Sequence, residues 1–207
     1  MADNKGRFVV FEGLDGSGKT TALEGLIEKI EKEDPDRKIF QTREPSDGEV
    51  GRLIRKALTK QIVLEPKTFT LLFAADRYEH IVNEVKPAIE RGEDVFCDRY
   101  YFSNLAYQGD VASRDMILSF NRPARDLITP DVVFFVDTPP EECMRRIHKG
   151  RDQEELFERV DKLKITERFY KEAFESLKDV EHIYILDGTL APDQIVEKMF
   201  DILSDIA

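Results

Sequence analysis

The sequence lacks the residues and runs that mark zinc sites, disulfides and membrane spans. Its 207 residues include no tryptophan, two cysteines and three histidines. Cys97 and Cys143 lie far apart and outside any CxxC pair, and the histidines are scattered, which excludes the usual spacings of a zinc site. We expect both cysteines to be reduced packing residues. No apolar stretch approaches the ~18 residues of a membrane span and no secretory signal is visible, so we expect a cytosolic protein.

Positive charge is also in deficit. The chain has 31 Lys and Arg against 42 Asp and Glu, which gives a formal net charge of −11. This balance argues against a protein that binds along a nucleic-acid backbone, although it allows local basic clusters for small phosphorylated ligands. Hydrophobic residues make up 41% of the chain and aromatic residues 10%, so a disordered chain is excluded. The length and composition predict a single domain spanning residues 1–207.

Short apolar runs alternate with amphipathic stretches along the chain. The runs are too short for helices and rich in β-branched and aromatic residues, which predicts strands that are covered on both faces. They occupy residues 7–12, 38–42, 94–98, 132–137 and 182–187. Between them, apolar residues at 3–4 spacing predict helices, the longest apolar stripe running over 71–89. The alternation predicts an α/β fold in which a five-stranded parallel sheet is flanked by helices in three layers.

Two segments of this pattern carry further expectations. Residues 148–163 are very polar and follow a Lys-Gly break, which favours a short flexible lid outside the core.

Residues 13–20 fit the pattern GxxxxGK[ST] at every fixed position, between a predicted strand and a predicted helix. Glycines there allow successive backbone N–H groups to surround an anion, and the helix start adds positive charge. The fold is therefore predicted to be of the P-loop NTPase type.

The P-loop pattern assigns roles to individual residues. We expect Lys19 to reach the β- and γ-phosphates of ATP and the Thr20 hydroxyl to bind Mg²⁺. Asp15 brings a negative charge close to phosphates, so it needs a partner: it would hold an acceptor hydroxyl, order an arginine or simply cap the turn. A glycine-rich turn without a ligand is the alternative for the whole loop. The predicted ATP-binding residues are Gly13, Leu14, Asp15, Gly16, Ser17, Gly18, Lys19, Thr20 and Thr21.

Two arginines directly follow predicted strands. Because the carboxyl ends of parallel strands face the ligand crevice, we expect Arg43 and Arg99 to bind a second phosphate group. Solvated surface arginines are the alternative. Asp98 adjoins Arg99 and would support Mg²⁺ through water or orient a basic partner. Asp137 fits the pattern of an apolar run ending in Asp better than Asp98 does, so the pattern leaves the choice between these two carboxylates open. We favour Asp98 because it adjoins Arg99.

A possible nucleobase platform lies in the predicted long helix. Phe73 and Arg77 are four residues apart and so share one helix face. The ring could stack on a base while the guanidinium donates to a carbonyl, although packing in the core is the usual role of an aromatic residue at this spacing. Further hydrogen-bonding groups and a ring follow at residues 103–108.

Together these segments resemble the thymidylate kinase family, whose members phosphorylate dTMP to dTDP with ATP. The resemblance runs in order through FEGLDGSGKTT, TREP, LLFAADR, DRYYFSNLAYQG and LDGT, and spans nearly the whole chain. It implies ATP and dTMP as substrates, and a homodimer. It places Asp15 near the sugar 3′-hydroxyl, Arg43 and Arg99 at the acceptor phosphate, and Phe73 and Arg77 at the base. The remaining residues implied near base and deoxyribose are Ser103, Asn104, Tyr107 and Gln108.

Members of the family differ in which segment of the chain supplies one catalytic arginine. Some members carry it in the P-loop, at the position that is Gly16 here, and others supply it from the lid. The glycine therefore implies a lid arginine, with Arg151 the first choice and Arg146 the next. The catalytic set is then Lys19, Asp15, Arg99 and Arg151. One alternative is a kinase for another nucleotide or deoxynucleoside, above all for another pyrimidine (deoxy)nucleoside monophosphate. The other is a P-loop switch, although the NKxD motif expected of a GTPase is absent from the sequence.

Overall fold

The computed structural model describes residues 5–147 and 153–206 of the chain. Five parallel strands form one sheet in the order β2-β3-β1-β4-β5. The strands are β1 (Phe8–Gly13), β2 (Ile39–Arg43), β3 (Asp94–Asp98), β4 (Val132–Asp137) and β5 (Ile183–Asp187). All five predicted strands are confirmed, and no boundary differs from its prediction by more than one residue.

Burial follows the position of each strand in the sheet. The central strands β1, β3 and β4 are almost wholly buried, whereas β2 and β5 lie at the edges and are partly exposed. Val and Phe on successive positions of β1 and β4 bury both faces, which requires helices on each side. The apolar runs thus encode a sheet at the centre of three layers, as predicted.

Nine helices cover the sheet within the described residues. They are α1 (Lys19–Glu33), α2 (Glu49–Leu58), α3 (Pro66–His80), α4 (Lys86–Glu90), α5 (Tyr101–Tyr107), α6 (Arg114–Arg125), α7 (Pro140–Ile147), α8 (Gln153–Leu177) and α9 (Pro192–Asp205). Leu23 and Leu26 of α1 pack with Ile195 and Met199 of α9 in a core cluster on one face of the sheet. The second cluster, on the other face, includes residues of α5 and α8. In the part of the chain described, no helix is long and apolar enough to cross a bilayer.

The apolar stripe over 71–89 does not form one continuous α-helix. α3 ends at His80, a π-helical turn occupies Ile81–Val85, and α4 begins at Lys86. Pro87 has no N–H and cannot donate to the carbonyl four residues earlier, which explains why regular hydrogen bonding changes just before it. The helical period is preserved across the stripe, but its hydrogen bonding is not.

The segment predicted as a lid is partly helical. Residues 148–152 lie outside the described part of the chain, and α8 begins at Gln153. Val160 and Leu163, near the end of that segment, are buried in the core cluster with Tyr170 and Phe174. The prediction that all of 148–163 stays outside the core is therefore wrong for its last residues, because their apolar side chains belong to the buried stripe of α8.

Candidate active site

The P-loop connects β1 to α1 with the backbone shape that its glycines allow. Gly16 and Gly18 have φ values of 80° and 95°, in the left-handed region that favours glycine. α1 begins at Lys19, so its free N–H groups lie at the loop. The Thr138 hydroxyl, after β4, donates to the Ser17 carbonyl at 2.9 Å and fastens the loop to the sheet. This arrangement can surround an anion with backbone donors.

Gly16 has no room for a side chain. A Cβ at this position would lie 2.5 Å from the carbonyl oxygen of Cys143 and 2.8 Å from Cγ1 of Ile147, both on α7. The packing of α7 against the loop therefore excludes an arginine here without rearrangement. This agrees with the inference that the P-loop itself supplies no catalytic arginine.

Lys19 and Thr20 both contact Asp98 at the end of β3. The Lys19 ammonium forms a partly buried ion pair with the carboxylate, and the Thr20 hydroxyl donates to the second carboxylate oxygen at 3.2 Å. Burial, with the charge of Arg99, lowers the pKa of Lys19, and Asp98 opposes that shift. Asp137 instead ends β4 beside Lys171, 3.9 Å away. The geometry therefore favours Asp98 over Asp137 as the carboxylate that serves the P-loop.

Arg99 links the P-loop to α5. Its Nη2 donates to Asp15 at 2.5 Å and to the Tyr107 hydroxyl at 3.3 Å, and its Nη1 donates to Ser103 at 2.9 Å. The residue has a φ of 76°, a left-handed conformation that non-glycine residues rarely adopt. Of the roles considered for Asp15, the ordering of an arginine is the one that the structure contains. The strained backbone indicates that the surrounding contacts hold Arg99 in place.

Glu12 is a buried carboxylate that the sequence patterns did not single out. It is fully buried at the end of β1 and accepts hydrogen bonds from the Ser103 hydroxyl at 2.6 Å, the Tyr170 hydroxyl at 2.8 Å and the Tyr100 amide at 2.8 Å. Burial raises its pKa, and Arg99 together with these hydrogen bonds opposes the shift. The sequence did contain one signal for Glu12, since an acidic residue directly follows the apolar residues of β1. Glu12, Ser103 and Tyr170 together frame the Arg99 guanidinium.

A cavity of about 190 Å³ opens beside Asp15 and Arg99. Eight of the nine predicted acceptor-site residues line it, namely Asp15, Phe73, Arg77, Arg99, Ser103, Asn104, Tyr107 and Gln108. Glu44, Pro45, Leu58 and Tyr100 complete the lining and were not predicted. Arg43 is absent from the lining: it is exposed at the end of β2 and lies 3.6 Å from Asp47. The structure therefore gathers residues from five separate sequence segments around one small cavity.

Phe73 and Arg77 lie side by side on α3 in this cavity. The Phe73 ring is half-buried and meets Phe69 edge-to-face at 4.9 Å. Arg77 is 1% exposed, pairs with Glu44 at 2.5 Å, donates to Asn121 and lies over the Tyr100 ring at 5.2 Å. Its Nε is buried and has no hydrogen-bond partner among the residues that the structure describes. The structure thus brings an aromatic ring and a guanidinium together in one cavity, and these are the two groups of the predicted nucleobase platform.

His80 supports Glu44 from behind the cavity. Its Nδ1 lies 3.5 Å from Glu44 and its Nε2 lies 2.7 Å from the Thr42 hydroxyl. Cys97 lies near Glu44 and His80, and one possible ligand atom of each of these three residues lies within 4.8 Å of the others. Burial keeps the pKa of the Cys97 thiol well above its ordinary value. Glu44 is already paired with Arg77, so this group is better suited to positioning than to holding a metal ion.

The His80 contacts predict how stability depends on pH. Burial lowers the pKa of His80, but the hydrogen bond to Glu44 and the charges of Glu44, Glu84 and Asp76 outweigh it, so the pKa lies above 6.5. The stabilisation is therefore fully present below pH 6.5 and is lost as the pH rises through the raised value. Urea unfolding of the protein should show a decreasing free energy of unfolding over that range. His80→Gln should remove this slope, and an unchanged slope would contradict the assignment.

Arg146 ties the P-loop to the loop after β5. Its Nη1 donates to the Ser17 carbonyl at 2.8 Å, its Nη2 donates to the Gly188 carbonyl at 3.0 Å, and Glu142 accepts from its Nε at 2.8 Å. This guanidinium lies against the P-loop, whereas Arg151, the first choice for a lid arginine, lies outside the described residues.

Comparison with known proteins gives one consistent family. The family model described as "Thymidylate kinase" matches residues 11–199. A putative thymidylate kinase of Treponema pallidum is 38% identical over 179 residues, covering 86% of this chain and 82% of the relative. The thymidylate kinase of Ligilactobacillus salivarius is 33% identical over 212 residues (97% and 99%), and a probable thymidylate kinase of Pyrococcus abyssi is 40% identical over 162 residues (75% and 76%). The chain belongs to the thymidylate kinase family.

Proposed function

We propose that this protein transfers the γ-phosphoryl group of ATP to dTMP and so forms dTDP. The single observation that carries the proposal is the contact between Asp15 in the P-loop and Arg99 in the cavity, at 2.5 Å. It joins a nucleoside-triphosphate cradle to a small cavity lined by a ring and two arginines. An acceptor phosphate bound at Arg99 would thus lie beside the phosphates held by the P-loop, as direct transfer requires.

On the donor side, the P-loop amides and Lys19 would bind the phosphates of ATP. Thr20 and Asp98 offer two oxygen ligands that lie 3.2 Å apart, and Thr20 is exposed. These hard oxygen donors fit Mg²⁺, which binds to proteins through few side chains together with substrate phosphates. When bound, Mg²⁺ would supply positive charge to the β- and γ-phosphates. Chelation by EDTA should therefore abolish turnover, and added Mg²⁺ should restore it.

On the acceptor side, Phe73 would stack on thymine and the Arg77 guanidinium would donate to a carbonyl. Arg99 would bind the monophosphate, and Asp15 and Tyr107 would lie at the deoxyribose. Arg43 would add a second cation to the acceptor phosphate. Arg43 ends β2 in register with Asp98, so it lies at the same carboxyl end of the sheet as Arg99. Its guanidinium is exposed and does not line the cavity.

The transfer itself needs positioning and charge neutralisation. An oxygen of the dTMP phosphate attacks the γ-phosphorus in line, and the bond to the β–γ bridging oxygen breaks, so that ADP leaves. The monophosphate is largely dianionic near pH 7, so no strong general base is required. Lys19 would neutralise charge on the γ-phosphoryl group and the leaving oxygen. A lid arginine, with Arg151 the first candidate and Arg146 the second, would complete this neutralisation.

A coupled assay of ADP release tests the proposal directly. The purified protein is given MgATP with dTMP, dUMP, dCMP, UMP or dGMP in turn. We expect ADP release to depend on the added monophosphate and kcat/KM to be highest for dTMP. A higher kcat/KM for another monophosphate would change the substrate. ADP release that is slow and independent of every monophosphate would favour a P-loop switch instead.

We also propose a homodimer that uses the face formed by α2, α3 and α6. These neighbouring helices carry exposed apolar side chains, and a cavity of about 810 Å³ lies between them. The side chains are Leu53, Leu71, Tyr78 and Met116, between 39% and 47% exposed. An apolar face of this kind is typical of an interaction surface. Sedimentation analysis should give twice the monomer mass, and Leu71→Glu should shift the protein towards monomer.

A further inference from the structure

Asn121 on α6 lies behind the cavity lining and bonds to residues of that lining. It is fully buried, and its side chain bonds to two residues that do line the cavity. Its Oδ1 accepts from Arg77, and its Nδ2 donates to Asn104 at 2.9 Å and to the Ile117 carbonyl at 2.8 Å. No pattern in the sequence pointed to this residue, because it lies outside every motif. Its contacts make it a candidate for controlling what the cavity presents to a ligand.

The orientation of the Asn121 amide is determined by its neighbours. Arginine can only donate hydrogen bonds and a carbonyl can only accept them. The Asn121 oxygen must therefore face Arg77, and its nitrogen must face the Ile117 carbonyl. Asn104 consequently presents its oxygen to Asn121, which leaves the Asn104 nitrogen directed at the next amide in the chain of hydrogen bonds.

This direction continues to Gln108, which lines the cavity. The Asn104 Nδ2 donates to the Gln108 Oε1 at 2.8 Å, so the Gln108 Nε2 remains as a donor. That nitrogen has no protein partner among the described residues. The Arg77 Nε also has no partner in the described part of the chain, but that atom is itself buried. Gln108 therefore keeps an unpaired donor in the cavity lining, Arg77 adds its guanidinium to the same lining, and Asn121 connects the two residues.

We infer that Asn121 is a specificity-determining positioning residue: it makes the cavity a hydrogen-bond donor and so selects a base with carbonyl groups over one with an amino group. The inference rests on the proposed function. Thymine and uracil carry a carbonyl at position 4, where cytosine carries an amino group that can only donate. A donor facing a donor leaves both buried groups unpaired, which is how hydrogen-bonding sites discriminate strongly.

Asn121→Asp tests the inference, because the new carboxylate still accepts from Arg77 but cannot donate to Asn104. Asn104 must then turn its amide and donate, and Gln108 must turn in response and present its oxygen to the cavity. We expect the ratio of kcat/KM for dTMP to that for dCMP to fall by about tenfold or more. The ratio for dTMP to dUMP should stay within about twofold, since both bases carry the same carbonyls. A loss of stability alone would lower the activity with all three substrates alike and would therefore change neither ratio.

Gln108→Glu provides a second test that leaves the buried asparagine intact. Its carboxylate still accepts from Asn104 and presents an acceptor to the cavity, so the ratio of dTMP to dCMP should fall in the same direction. In this background, Asn121→Asp should change the ratio by less than about twofold, because coupled residues are not additive. Arg122→Ala, on the exposed side of α6, is the control and should leave both ratios unchanged.

The outcomes separate this inference from the proposed function. If the unmodified protein does not phosphorylate dTMP, the proposed function fails. If it does, and Asn121→Asp binds MgATP normally but keeps the ratio of dTMP to dCMP, the role of Asn121 is overturned. Should Asn121→Asp not fold, an unchanged ratio in Gln108→Glu overturns the inference instead.

Discussion

Replacing Lys19 by methionine should lower kcat by about 10²–10³-fold, the effect of losing one preorganised charge at a site of developing negative charge. Lys19 is almost fully buried at the start of α1, and its ammonium is held by Asp98 at the end of β3. The side chain therefore points along a defined direction beside the P-loop amides. Methionine keeps the length of the side chain and removes the charge. Steady-state kinetics at saturating MgATP and dTMP measure the effect.

Lys29→Met is the matched control for this prediction. Lys29 lies on the same helix, is partly exposed and pairs with Glu197 at 2.8 Å. Its loss should leave kcat within about twofold, since exposed ion pairs contribute little. Because Lys19→Met also leaves Asp98 without its partner, thermal melting should accompany the kinetics. A folded Lys19→Met protein with kcat near that of the unmodified protein would refute the role given to this residue.

Replacing Arg99 by alanine should lower kcat/KM for dTMP by about 10²–10³-fold, with a far smaller effect on KM for ATP. Arg99 is the cation that the cavity shares with the P-loop, through Asp15, Ser103 and Tyr107. Its removal takes away the group proposed to hold the acceptor phosphate. Initial rates over a range of dTMP concentrations at saturating ATP give the value.

Arg99→Gly separates the side chain from the backbone. The φ of 76° costs about 1 kcal/mol for alanine but little for glycine, so the glycine variant should be the more stable of the two. Both variants should lose the same activity, because both lack the guanidinium. If Arg99→Gly instead regained substantial activity with dTMP, the defect of Arg99→Ala would reflect the backbone, and Arg99 would not be the acceptor clamp.

Local patterns were sufficient wherever a feature depends on residues close in sequence. The P-loop requires glycine at positions with positive φ, followed by the start of a helix, and both are visible in the sequence. The strands were found because a buried parallel strand needs apolar residues on both faces. Phe73 and Arg77 were paired correctly because residues four apart share a helix face.

Patterns were insufficient wherever a role depends on direction or on a distant contact. Arg43 and Arg99 look alike in sequence, since each follows a strand. Only Arg99 turns into the cavity, with a left-handed backbone, while Arg43 points to solvent. The end of the predicted lid was misjudged because a few apolar residues in a polar segment, Val160 and Leu163, face the core.

The sequence by itself determined the sheet, the P-loop and most of the residues that line the cavity, because each is encoded in neighbouring residues or in a family motif. The tertiary structure alone decided how those residues are held. Glu12 meets Tyr170 across 158 positions and Arg77 meets Asn121 across 44, and both contacts are between buried polar groups. A buried polar group must find a partner wherever the fold brings one, and no local spacing encodes that choice.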